Sequence, residues 1–72
     1  MARHLLDARG LRCPWPALRL ARLMRHAAPG DEVEMIADDP KAREEVSALA
    51  RERGWSFGRR EEDGHSIFTI IL

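Results

Sequence analysis

The spacing of apolar residues along this chain changes repeatedly between that of a strand and that of a helix. Residues 4–8, 32–37, 55–57 and 67–72 have strand character, whereas two intervening stretches, residues 14–26 and 40–53, repeat apolar residues every three to four positions. The predicted order is therefore β-α-β-α-β-β. Right-handed crossovers place both helices on one side of the sheet, which predicts an α/β (α+β) two-layer sandwich.

Turn and capping residues mark the ends of these segments. The run Asp38-Asp39-Pro40 predicts the start of the second helix, with an aspartate as N-cap and the proline as the first helical residue. Gly54 predicts its end, and Asp63-Gly64 predicts the hairpin between the last two strands. We expect both aspartates of the first run to serve the helix cap.

The last strand, residues 67–72, is apolar on both faces, which predicts an interior position in the sheet. The face of the sheet away from the helices has no second layer to cover it. We expect Ile36, Phe68 and Ile70 to be exposed on this open face, as the edge of an incompletely covered core or as a binding surface.

The first helix has two contrasting faces. Its apolar stripe comprises Ala17, Leu20, Ala21 and Met24, and its polar face comprises Arg19, Arg22 and His26. Charge is unevenly distributed along the chain as a whole. Residues 1–30 contain six arginines and one aspartate, a net charge of +5, whereas residues 31–72 contain six bases and eleven acids, a net charge of −5. The arginine face predicts attraction of acidic partners, unless it is only a solvated helix surface.

Length and composition exclude several classes of protein. A chain of 72 residues, 44% hydrophobic and 33% charged, is typical of one small globular domain, which we expect to span residues 1–72. One cysteine excludes a disulfide-stapled secreted scaffold and indicates a reducing compartment. The sequence has no apolar stretch suited to a signal peptide or membrane span, so we expect a cytoplasmic protein without membrane insertion.

The only cysteine, Cys13, lies directly before the first helix pattern, between Arg12 and Pro14. With Cys13 as the N-cap, Pro14 and Pro16 occupy the first and third helical positions, where their missing N–H groups cost little. The helix N-terminus and Arg12 are then expected to favour the thiolate, which predicts a reactive thiol. The alternative is an inert, buried cysteine.

Other functional groups form weaker patterns. His4, His26 and His65 have no metal-ligand spacing, so we expect no metal site and no cofactor. A second cysteine and a glycine-rich phosphate loop are both absent from the sequence. Both tryptophans are predicted to be packing residues. Of the two, Trp15 is the better candidate for another role, because it lies beside the thiol. The thiol therefore remains the main candidate for chemistry.

Several motifs together resemble the TusA/SirA-like family of small sulfur-carrier proteins. These are Leu6-Asp7-x-x-Gly10-Leu11-x-Cys13-Pro14-x-Pro16, Gly30-Asp31, Ala37-Asp38-Asp39-Pro40 and Gly54. The resemblance covers nearly the whole chain, and its Cys-Pro-x-Pro element is the most specific part. It implies a βαβαββ fold with a mixed four-stranded sheet in the order 1-2-4-3 and both helices on one face.

The resemblance also implies a function in sulfur relay. Cys13 would accept a sulfane sulfur as a persulfide from a donor protein, a cysteine desulfurase or a rhodanese-like protein, and pass it to an acceptor protein. The destinations known in the family are tRNA 2-thiouridine synthesis, molybdenum cofactor synthesis, sulfur oxidation and a selenium-associated branch. Such a protein is a sulfurtransferase that relays sulfur, rather than a multi-turnover enzyme, and tRNA is not expected to bind it directly.

Specific residues can be given expected roles on this basis. Arg12, Pro14, Pro16, Asp7 and Gly10 are expected to stabilise the thiolate or shape its loop, and Trp15, Arg9, Arg19 and Arg22 are expected to bind partners. Trp15 departs from the small, acidic or aliphatic residue common at that position of the family. We expect a monomer.

Two alternatives to sulfur relay follow from the residues. The first is a non-catalytic regulatory or adaptor module that binds a protein through its arginine face or its open sheet face. The second and weaker one is direct nucleic-acid binding, for which no aromatic platform accompanies the arginines.

Overall fold

The computed structural model describes all 72 residues. Its elements in chain order are β1 (Arg3–Ala8), α1 (Trp15–Met24), β2 (Glu32–Ala37), α2 (Ala42–Arg53), β3 (Ser56–Glu62) and β4 (His65–Ile71). The sheet has the order β1-β2-β4-β3, with β1 and β2 parallel and the other neighbours antiparallel. The predicted topology and the interior position of the last strand are confirmed.

A single core lies between the sheet and the two helices. Met35 pairs with Phe68 in the register of β2 and β4, and both side chains are fully buried. Leu20 of α1 and Val46 of α2 belong to the same buried cluster, which confirms the apolar stripes predicted for the two helices. Neither helix is long and apolar enough to cross a membrane.

The open face of the sheet differs from the prediction at two positions. Phe68 and Ile70 are fully buried on the helix side, so their predicted exposure is wrong. Side chains alternate along β4, so Ile67 lies on the face away from the helices, in register with the half-buried Ile36, and is itself buried. An apolar run on both faces does not reveal which set of side chains points toward the helices.

Helix α1 is shorter than the predicted 14–26. The predicted N-cap, Cys13, is wrong: Pro14 occupies the N-cap position, Cys13 lies one residue before it, and Pro16 is the second helical residue rather than the third. At the other end, His26 N–H bonds the Leu23 carbonyl, a three-residue spacing that tightens the last turn rather than extending the α-helix.

Helix α2 begins at Ala42, two residues later than predicted, and no side chain caps its N-terminus. The predicted aspartate N-cap is therefore wrong, because the carboxylates of Asp38 and Asp39 are bonded mainly to another loop, described below. Gly54 ends α2 in the left-handed conformation, with φ of 76°, as predicted.

The β3–β4 hairpin turns at Asp63 and Gly64, whose φ angles of 50° and 78° confirm the predicted turn. Strand β3 continues beyond its predicted end at residue 57 to Glu62, and strand β4 begins at His65 rather than at residue 67. Strand β3 is an edge strand, and most of its side chains are exposed and polar. Its second half therefore lacks the alternation of apolar residues from which a strand is predicted.

Asp31 joins the N-terminal segment to the turn before β2. Its side chain is buried and accepts hydrogen bonds from Ala2 N–H at 2.8 Å, Ala28 N–H at 3.0 Å and His4 Nε2 at 3.1 Å. These bonds, the one from Ala2 first, hold the pKa of Asp31 well below its usual range.

We expect Asp31 to make the stability of the fold sensitive to acid. A carboxyl whose pKa is lower in the folded state stabilises fully above its unfolded value of about 4 and loses that contribution as pH falls below it. Asp31→Asn should therefore lower the midpoint of thermal unfolding by several degrees at pH 7, and the difference from wild type should shrink in acid. Asp63→Asn, at an exposed turn position, is the matched control; an equal effect of the two substitutions would contradict the assignment.

Candidate functional site

The site is formed by two neighbouring loops at one edge of the sheet. Strands β1 and β2 are parallel and in register through their last pair, Ala8 and Ala37. The segments that follow them, residues 9–14 and 38–41, therefore leave the sheet side by side. Cys13 is exposed on the first of these loops, and its peptide bond to Pro14 is cis.

The second loop holds the first through carboxylate groups. Gly10 N–H donates to both oxygens of Asp38, at 3.0 and 3.2 Å, and Cys13 N–H donates to Asp39 Oδ2 at 2.7 Å. Gly10 has φ of 82°, a left-handed conformation that favours glycine and turns its N–H toward Asp38. The two aspartates thus fix the backbone on both sides of the segment that presents the thiol.

A third carboxylate contacts the sulfur itself. The Cys13 thiol donates a hydrogen bond to Glu45 Oε2, from the first turn of α2. This bond raises the pKa of the thiol, and partial desolvation and the charge of Glu45 act in the same direction. The expectation that the surroundings of Cys13 lower its thiol pKa is therefore wrong for the free protein. None of the hydrogen bonds in the structure joins an α1 amide to the sulfur.

The remaining loop residues occupy varied positions. Arg12 is exposed and makes no ion pair, so its thiolate-stabilising role stays a prediction. Pro14 is exposed, whereas Pro16 is buried beneath the first turn of α1 and ties this turn to the core. Asp7 and Arg9 pair with each other at 2.8 Å, which lowers the pKa of Asp7 to about 2. Arg9 is therefore neutralised locally, while its predicted role in partner binding stays untested.

An open groove of about 330 Å³ runs along α1 from the thiol loop. Its lining residues are Trp15, Leu18, Arg19, Arg22 and Arg25. Trp15 is 58% exposed and Leu18 50% exposed, so two large apolar side chains of the groove face solvent together with its arginines. None of the groove's arginines has a carboxylate within ion-pair distance, which leaves the groove strongly positive.

Comparison with known proteins identifies the class to which this arrangement belongs. A model of the family described as sulfurtransferase TusA matches residues 4–72. The chain belongs to the TusA sulfurtransferase family. A crystal structure of a SirA-like protein from Desulfitobacterium hafniense is similar over 96% of both chains, with 27% identity and a TM-score of 0.86. The expected TusA/SirA-like membership is thus confirmed, and with it a sulfurtransferase or sulfur-carrier function.

The structure adds site residues that the sequence did not indicate to us. The sequence pattern predicts a helix cap for Asp38 and Asp39 and assigns no role to Glu45. One signal for Glu45 was present: it shares helical spacing with the apolar residues Ala42 and Leu49, so it lies beside the buried stripe of α2. Leu18 and Arg25 likewise follow the helical spacing of Trp15 and Arg22. No group of three or more histidine, cysteine, aspartate or glutamate side chains is placed to hold a metal ion.

We expect removal of the Asp39 carboxylate to loosen the thiol loop without unfolding the protein. A hydrogen bond to a charged acceptor contributes about 1.5–3 kcal/mol, so Asp39→Ala should speed amide exchange at Cys13 roughly tenfold or more. Asp38→Ala is the matched comparison and should affect Gly10 instead. Unchanged exchange at Cys13 in a folded Asp39→Ala protein, measured by NMR, would show that the loop is held by other contacts.

Proposed function

We propose that the protein carries sulfur as a persulfide on Cys13, receiving it from a donor protein and delivering it to an acceptor protein. The observation that supports this most directly is an exposed, lone thiol on a loop held by two carboxylates, in a chain of the TusA family. A cysteine desulfurase or a rhodanese-like protein is the proposed donor.

The proposed chemistry is an exchange between a thiol and a persulfide. The Cys13 sulfur attacks the outer sulfur of the donor persulfide, a new S–S bond forms on Cys13, and the donor cysteine leaves as a thiolate. The thiol proton of Cys13 is released to solvent or to the donor thiolate, so no external oxidant is required. With no second cysteine in the chain, the persulfide cannot discharge as an internal disulfide.

The destinations known in the family share this step. For tRNA 2-thiouridine synthesis, molybdenum cofactor synthesis or sulfur oxidation, the carrier passes the same sulfur to a different acceptor protein. RNA enters only through the acceptor, so direct nucleic-acid binding is not part of the proposal. A thiol that has to stay reduced and accessible supports operation in the cytoplasm.

The α1 groove is the proposed docking surface for these partners. It begins at Trp15, two residues from Cys13, so a partner seated along it would lie next to the thiol. Its unpaired arginines favour an acidic surface, and the exposed Trp15 and Leu18 offer apolar contact area. The same groove would serve the alternative adaptor function, in which Cys13→Ser keeps biological activity.

Sulfur loading provides the primary test. Incubation with a cysteine desulfurase, its cofactor and cysteine should add about one sulfur atom, roughly 32 Da by intact mass, to the wild type and none to Cys13→Ala. The added mass should disappear on reduction. Absence of added mass on wild type with several donor proteins and small sulfane donors would overturn the proposal.

Charge reversal in the groove should weaken loading by the donor protein. Arg22→Glu is expected to lower kcat/KM for sulfur transfer about fivefold, corresponding to about 1 kcal/mol of docking energy, and more strongly at low salt. Arg51→Glu makes the same charge change at the far end of α2, where Arg51 is exposed and unpaired. Equal effects of the two variants would indicate general charge attraction and count against the groove.

A further inference from the structure

The contact between Cys13 and Glu45 has a direct consequence for the reactivity of the thiol. A carboxylate that accepts the thiol proton in a hydrogen bond stabilises the neutral thiol and repels the thiolate. Only the thiolate attacks a persulfide or an electrophile at an appreciable rate. The free protein therefore holds its one thiol in its less reactive form.

The other charged groups around the sulfur do not reverse this effect. In the loop before α2, Lys41 favours the thiolate by its charge, whereas Asp39 opposes it. Arg12 of the thiol loop is exposed and makes no ion pair, and the side-chain hydrogen bond of the sulfur is to Glu45 rather than to a charged group of α1. Glu45 of α2 gives the largest contribution, and the thiol pKa is raised.

We propose that Glu45 is a positioning residue that keeps Cys13 a neutral thiol until a sulfur donor docks. This inference rests on the proposed function, because it assigns Glu45 to the regulation of the same thiol. The carboxylate restrains Cys13 from reacting with small electrophiles and sulfane compounds while the carrier is free. A docked donor separates Glu45 from the sulfur and thereby releases the thiolate.

A buried oxygen of Glu45 supports this release step. Glu45 Oε1 is fully buried and has no hydrogen-bond partner, so the contact with Cys13 is the only bond that the carboxylate makes. An unsatisfied buried acceptor favours any rearrangement that supplies a donor. Rotation of the carboxylate toward water or toward a donor group of the docked partner satisfies Oε1 and removes the negative charge from the sulfur.

The resulting exchange balances without a further reagent. Cys13–SH loses its proton to solvent or to a basic group of the partner, and the thiolate attacks the outer sulfur of the donor persulfide. The Cys13–sulfur bond forms as the donor's sulfur–sulfur bond breaks. The donor cysteine departs as a thiolate and takes up a proton, so the sulfane sulfur moves with no net oxidation or reduction of the pair.

The rate of alkylation of Cys13 tests the proposal without any sulfur donor. Glu45→Gln keeps the shape of the side chain and a hydrogen-bond acceptor but removes the charge. Measured with iodoacetamide from about pH 6 to about pH 10, which spans the ordinary thiol range, its rate profile should move to lower pH. A tenfold gain in thiolate, partly offset by lower nucleophilicity, would leave Cys13 reacting about threefold faster at neutral pH.

Two further variants separate the local charge from other effects. Glu44→Gln makes the same change in net charge at the exposed residue that precedes Glu45 in α2, and should leave the profile unchanged. Glu45→Asp keeps the charge but withdraws it by one methylene group, and should give an intermediate profile. It also serves as the test protein if Glu45→Gln does not fold, as judged by circular dichroism.

The outcomes distinguish this inference from the proposed function. A Glu45→Gln profile that coincides with wild type, or moves to higher pH, overturns the role of Glu45 even if Cys13 still loads sulfur. A profile that moves to lower pH supports it, whether or not sulfur loading is observed. If only Glu45→Asp folds, a profile that coincides with wild type overturns the role in the same way.

Discussion

The hydrogen bonds from the thiol loop to Asp38 and Asp39 are the interactions on which the site depends. They exist because β1 and β2 are parallel and end in register, which brings the loops that follow them together at one edge of the sheet. Without the aspartates, the backbone N–H groups of Gly10 and Cys13 would have no partner within the protein. The fold therefore contributes to function chiefly by placing the loop after β2 where its aspartates hold the thiol loop in position.

Helix α2 has a second part in this arrangement. The same apolar stripe that anchors it to the core through Val46 sets the position of Glu45 against the sulfur. On the other side of the loop, α1 extends a positive groove away from Cys13. The thiol thus lies between a carboxylate that favours its neutral form and a surface suited to an acidic partner. Docking of a partner on the groove is the event proposed to separate Glu45 from the sulfur and release the thiolate.

The sequence predicted the fold more completely than the site. Periodicity and turn residues were sufficient for the element order, the Gly54 cap and the Asp63-Gly64 hairpin, because these signals are local. The predicted exposure of Phe68 is wrong, because a strand that is apolar on both faces does not reveal which face packs against the helices. The partners of Asp39 and Glu45 lie 26 and 32 residues away in the chain, and no local pattern specifies such contacts. The prediction of a lowered thiol pKa for Cys13 is wrong for the same reason, because it rests only on the neighbours of Cys13 in sequence.

The central claim is that sulfur passes through Cys13, and a single-turnover chase tests it most directly. The protein is loaded with radiolabelled sulfur, freed of the donor and mixed with an acceptor protein of the thiolation pathways. The account predicts that label leaves Cys13 at the same rate at which it appears on the acceptor. Label that remains on Cys13 with every acceptor, or reaches the acceptor equally well when Cys13→Ala replaces the wild type throughout, would contradict it.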